Sequence, residues 1–187
     1  MPDAFQNDTW VGDVHRFWFE ELEQADWFKK NDAVDEKIRS RFLGVHEELM
    51  AQSHRLSSRD RSQMLAAIIV LDQFSRNMFR GTPRSFAADP LALGMARTVV
   101  DQGLDKTMTK HQRLFTYLPF EHSENAADQV RSVELMGELE DAELTKYALA
   151  HKVIIDRFGR FPHRNAILGR QSTDEEIAFL KEPNSSF

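Results

Sequence analysis

Met64-Leu65-Ala66-Ala67-Ile68-Ile69-Val70-Leu71 is an unbroken apolar run inside a segment from Arg59 to Phe79 that Ser58 can cap and that Gly81, Thr82 and Pro83 end. A helix that is apolar on every side has no face to offer water. The segment is therefore predicted to be the central and most buried helix. Upstream, Val34, Ile38, Phe42, Val45 and Leu49 recur at helical spacing between Asn31 and Ser53, with charged residues on the other faces, so an amphipathic helix is predicted there. Val14, Phe17, Trp18 and Leu22 suit a shorter helix, and Trp27-Phe28 read as an aromatic plug before the next one, destined for the core.

Downstream, Asp89-Pro90 places a capping acid before a favoured first helical residue and opens a helix that Gly103 stops. Thr109 starts another, closed by Pro119. Further helices are predicted from about Glu124 to Leu139 and from Asp141 to Phe158, the second ending at Gly159. Ser172-Thr173-Asp174-Glu175 reads as a capping box for a short last helix, and residues 183–187 are expected to fray. No segment alternates with period two between turn residues, so little or no sheet is expected. The predicted architecture is all-α, a stack of antiparallel helices forming one domain over residues 1–187.

Composition narrows the function classes. The 187 residues include no cysteine, which removes disulfides and cysteine-based zinc sites and points to a reducing compartment. The first residues lack a basic region and an apolar core, and the longest apolar run is too short for a bilayer, so a soluble cytoplasmic protein is expected, with no membrane partner. A net charge of −6 argues against nucleic acid as a partner, because phosphate neutralisation needs a basic surface. No cofactor is expected. Oligomeric state is not legible.

Three polar segments could carry chemistry. Asp72, Arg76 and Arg80 fall at i, i+4 and i+8 at the end of the central helix, with Gln73 and Asn77 beside them. They either pair among themselves or converge on a ligand. In Tyr117-Leu118-Pro119-Phe120-Glu121-His122-Ser123-Glu124 two carboxylates flank a histidine at a helix break; they could cap the next helix or act as acid and base. Glu121, His122, Glu124 and His163 could also supply metal ligands, although no His-x-x-x-His spacing supports a metal site. Arg157-Phe158-Gly159-Arg160-Phe161-Pro162-His163-Arg164-Asn165 bends at glycine and proline and can aim several donors at one carboxylate or phosphate. Its alternative is a structural loop whose arginines pair with acids elsewhere. The segments from Asp72 and Asp156 share the pattern D-x-F-x-R-x-x-x-R, running to Arg80 and Arg164; a true duplication would give the two aspartates comparable places.

These three strings, together with Phe17-Trp18-Phe19 and Trp27-Phe28, resemble the bacterial family known as domain of unknown function 924, over nearly the whole chain. The resemblance implies an all-helical fold similar to tetratricopeptide-repeat proteins, although no 34-residue repeat consensus is visible, and it implies no activity.

Two main readings follow. In the first, the segments form one pocket that holds a small anion. Asp72, Arg76, Asn77, Arg80, Glu124, Arg160, Arg164 and Asn165 would bind it, and Glu121, His122 and His163 would orient it or move protons. Arg160→Ala would then abolish binding and leave the fold intact. In the second, the chain is a non-enzymatic helical scaffold for a protein or peptide, and the polar clusters are internal salt bridges. Metal-dependent hydrolysis is a third and weaker reading.

Overall fold

Leu65 to Leu71 are at most 1% exposed, but the segment that contains them is not a uniform α-helix. In the computed structural model, which describes residues 9–183 and 185, it runs as α3 (Arg61–Ile68), a π-helical turn (Ile69–Phe74) and α4 (Ser75–Met78). Its cap is Asp60 rather than Ser58: the Asp60 carboxylate accepts from the Ser62 and Gln63 amides at 2.9 and 3.1 Å. A carboxylate also meets the positive end of the helix dipole, which a hydroxyl does not. The π turn widens the ladder and shifts the face that follows. Asp72 and Gln73 thereby lie buried between apolar neighbours.

The described residues divide into two compact units, one of those up to Arg80 with Arg84–Pro119, the other of Gly81–Pro83 with those from Phe120 onward. In the first, α1 (Thr9–Arg16) leads into a second π turn, Phe17–Glu21. Phe17, Trp18 and Phe42 surround Phe74 with ring centroids 5.9, 5.4 and 4.9 Å away. The Trp27 indole N–H donates to the Trp18 carbonyl at 2.9 Å, which satisfies its one polar atom inside the aromatic core. Phe28, expected to be core, is 64% exposed.

The helix α2 (Asp32–Gln52) starts at Asn31, whose side chain accepts from two amides, and packs on α4 and the π turn before it. Its buried face is Val34, Ile38, Phe42, His46 and Leu49, so a histidine takes the place expected for Val45. The helix α5 (Asp89–Asp101) packs on α3. Asp89 does not cap it; Ala88 holds the cap position with no side-chain bond, because the Asp89 carboxylate is engaged by Arg76. Gly103, at φ +67°, ends it in the left-handed conformation that glycine adopts without a Cβ clash. Thr109 caps α6 (Lys110–Glu121), as expected, but α6 continues through Pro119. So near the helix end a proline costs only one ladder bond, the Phe115 carbonyl losing its donor.

In the second unit, α7 (Ala126–Gly137) packs on α8 (Ala142–Phe158). Asp141 caps α8 and Gly159 closes it at φ +67°, both as read from the sequence. Ile154, Ile155, Phe158, Phe161 and Phe179 form a hydrophobic cluster. The capping box of α9 (Asp174–Phe179) is Thr173 with Glu176, one residue later than predicted. Of the tail expected to fray, residues 184, 186 and 187 lie outside the described residues, and Ser185 donates to the Leu180 carbonyl at 3.2 Å.

Among the described residues there is no strand, and the fold is all-α. No described helix is long and apolar enough to cross a membrane. The two D-x-F-x-R segments are not equivalent. Asp72 is fully buried on a π turn, whereas Asp156 is exposed on a regular helix and pairs with Lys152 one turn back.

Phe74 is the test of the first core. Phe74→Ala is expected to lower the unfolding free energy by about 3–5 kcal/mol in urea denaturation, with an unchanged denaturant slope.

Candidate functional site

The buried stripe of α8 is Ala148, His151, Ile154 and Ile155, which puts one imidazole into an apolar face. His151 Nδ1 lies 2.9 Å from the Tyr147 carbonyl and 3.2 Å from Glu121 Oε1. Both are acceptors, so Nδ1 carries the hydrogen and Nε2 is the acceptor nitrogen of the ring. Burial pushes the His151 pKa down to about 3, and the neighbouring His122, Arg164 and His163 push the same way, against the Tyr147 carbonyl. The ring is neutral at pH 7.

Four residues chosen from the sequence gather around it. The His122 ring lies 6.4 Å from that of His151, and Phe161 meets His151 edge-on at 5.6 Å. Phe161 in turn contacts His163 at 5.6 Å and carries the Arg164 guanidinium 4.5 Å above its face. Glu121, the last residue of α6, is buried and is positioned by Gln129. The Gln129 amide donates to the carbonyls of Glu121 and Ser123, each at 2.7 Å, and so closes the open end of the helix. Ser123 accepts from the Asn125 amide and donates to Asp128, while Asn125 itself caps α7.

The other candidates of the second unit are engaged with one another. Glu124 receives Arg170 in a two-pronged pair at 2.7 and 2.9 Å and accepts the Phe161 amide at 2.8 Å. Burial opposes its ionisation, but Arg170 and that amide outweigh burial and hold the carboxyl below its ordinary range. Arg160 grips Glu176 at 2.6 and 2.7 Å and also donates to the Gln171 carbonyl. Hydrogen bonding from Arg160 is the main cause that takes the Glu176 pKa down to about 2. Asn165 donates to Ser172 and Glu176 and accepts from Arg170 Nε.

In the first unit, Arg76 donates to both oxygens of Asp89 at 2.9 and 3.1 Å and sits 3.2 Å from Asp72. Gln73 donates to Asp72 at 2.6 Å. Arg80 leaves the expected stripe: it and Asn77 both bind Asp35 of α2, at 3.0 and 2.7 Å. The helix end is thus tied to α2 and α5.

Sequence reasoning missed His151, Gln129, Asp35, Asp89, Arg170 and Glu176. His151 had a local signal, a histidine at i+3 from Ala148 and i−4 from Ile155 within an apolar stripe. The ion-pair partners had none, because they come from distant parts of the chain.

A helical protein with its polar helix ends clipped by ion pairs and a histidine-lined centre in one unit is the class defined by this geometry. The chain belongs to the family described as bacterial protein of unknown function (DUF924), whose model it matches over residues 14–184. It is also similar to the solved structure of a protein of unknown function from Agrobacterium tumefaciens, at 36% identity and a TM-score of 0.87, covering 92% of this chain and 97% of that one. No curated protein matches the chain.

The neutral His151 makes stability depend on pH. An unfolded histidine titrates near 6.5, whereas folded His151 titrates near 3, so between those values only the unfolded chain takes up the proton. Its contribution is complete above pH 6.5 and falls as pH drops towards 3, by about 1.4 kcal/mol per pH unit inside the window. Burial and Arg84 depress His46 to about 4, in the same sense. Urea denaturation between pH 6 and 5 is expected to show this slope, and His151→Gln should reduce it by about one proton.

Proposed function

We propose that the protein binds a small carboxylate or phosphate compound at the centre formed by Glu121, His122, His151, His163 and Arg164, with His122 and His163 as the groups that move protons. The observation that carries the reading is the Glu121–His151 contact, a buried carboxylate holding one imidazole in a fixed tautomer beside two further histidines and an arginine. A guanidinium offers several donors in one plane, which suits a carboxylate or phosphate, and two imidazoles nearby can donate to the same anion or take its proton. The neutral, deeply depressed His151 is a poor base at pH 7 and serves as an orienting group.

The remaining arginines are read as structural clips. Arg76, Arg80 and Arg160 each meet a carboxylate with two nitrogen–oxygen contacts, and moving any of them to a ligand would strand that carboxylate. Arg160→Ala is therefore expected to lower stability rather than binding. Among the described residues no group of three or more His, Asp or Glu is arranged to hold a metal ion, so metal-dependent hydrolysis has no support.

One observation favours the scaffold reading as the second choice. Leu149 and Val153, one turn apart on α8, are 46% and 61% exposed, which offers an apolar strip to a peptide.

Thermal denaturation with inorganic phosphate and a series of carboxylates decides between them. A ligand at 100 times its Kd adds about 2.7 kcal/mol of stability. The expected result is a rise in Tm that His122→Ala and His163→Ala remove and Arg160→Ala keeps, from a lower starting Tm. No rise with any anion, or a rise retained in both histidine variants, would reject the anion site.

A further inference from the structure

The first unit carries a groove of about 850 Å³, within the size range of pockets that hold small molecules. It is built from the C-terminal part of α1, the π turn after it and the starts of α3 and α6, and none of the residues discussed above as candidates lines it. We infer that it is a binding site for a small organic cation, a protonated amine on an aromatic or aliphatic body.

Charge decides the sign of the ligand. Of the ionised residues that line the groove, one is an arginine and three are carboxylates. The arginine, Arg16, is turned to Asp13 at 3.3 Å. Two of the carboxylates have local tasks: Asp60 caps α3, and Glu23 forms a capping box with Asp26. Glu20 is exposed and has neither a hydrogen bond nor an ion pair among the described residues. It is the carboxylate available to a cation.

Two helices begin at the groove, and helix starts ordinarily favour anions. Here three of those amides already have a side-chain acceptor. Asp60 accepts from Ser62 and Gln63, and the Thr109 hydroxyl accepts from the Gln112 amide at 3.3 Å. The negative excess of the lining is therefore what a ligand meets.

The walls supply the second half of the recognition. Phe19 is half-buried, stacks on His15 at 5.9 Å and 22°, and meets Trp27 at 6.1 Å and 82°. His111 stands against Trp27 at 5.1 Å and 73°. An ammonium near such rings is attracted by their π faces, and the apolar body of the ligand covers the same rings. A carboxylate or phosphate in this groove would meet Glu20 and the ring faces, both unfavourable.

The probes are phenethylamine, protonated at pH 7, and 3-phenylpropionate, its anionic counterpart, followed through the backbone amide NMR signals of Gly12, Glu20 and Gln112 in the full chain. The expected result is a saturable shift with the amine and none with the carboxylate. Glu20→Gln, a change at an exposed position, should weaken amine binding about threefold to fivefold, and so should salt at about 0.5 M. Phe19→Leu should weaken it as well, by removal of the ring face. Equal or tighter binding of 3-phenylpropionate, no saturable shift with phenethylamine, or parent affinity in a folded Glu20→Gln variant would each overturn the assignment.

Discussion

A charge drawn into the end of a buried helix must meet an opposite charge there, and most of this protein's polar design follows from that rule. Arg76 is the clearest case. Burial works against its charge, yet Asp72 and Asp89 outweigh burial and raise its pKa. The arrangement needs the π turn, which places Asp72 inside an otherwise apolar segment, and it needs Asp89 to give up the role of a helix cap. One guanidinium thus joins the central helix to the start of α5. Arg80 and Asn77 do the same towards α2 through Asp35.

The second unit repeats the device with different residues. Arg160 with Glu176 and Arg170 with Glu124 tie the irregular chain after α8 to the start of α9 and to the segment before α7. That chain anchors Phe161 in the hydrophobic cluster, and the paired charges, Asn165 and the Phe161 amide fix its shape around that anchor. Ion pairs of this kind contribute little when solvent screens them and cost several kcal/mol when half of a buried pair is removed. In the same unit His122 stands beside His151, and His163 and Arg164 stand beside Phe161.

Much of the fold was legible because helices announce their ends locally. Asn31, Thr109, Asp141, Gly103 and Gly159 each act within a turn of where they stand, and the Met64 to Leu71 run could only be buried. Legibility failed where a residue answers to something far away. Asp89 before Pro90 has the signature of a cap, but Arg76 competes for its carboxylate and wins. Pro119 looks like a stop, but near a helix end it removes one bond only. His46 and His151 sit on the buried stripes of α2 and α8, places that the apolar pattern does not assign to a histidine. Of the candidate site, Glu121, His122, His163 and Arg164 could be chosen from the sequence by density of function; His151 carried only the weaker signal of its place in an apolar stripe.

The tautomer and charge of His151 are the point on which the centre stands. Long-range proton–nitrogen NMR of the histidine side chains measures both directly as pH is lowered. The expected result is a His151 ring that keeps its hydrogen on Nδ1 and stays neutral until the pH approaches its depressed pKa of about 3. A ring that protonates near its ordinary value of about 6.5, or that carries its hydrogen on Nε2, would mean that Glu121 and Tyr147 do not hold it as described.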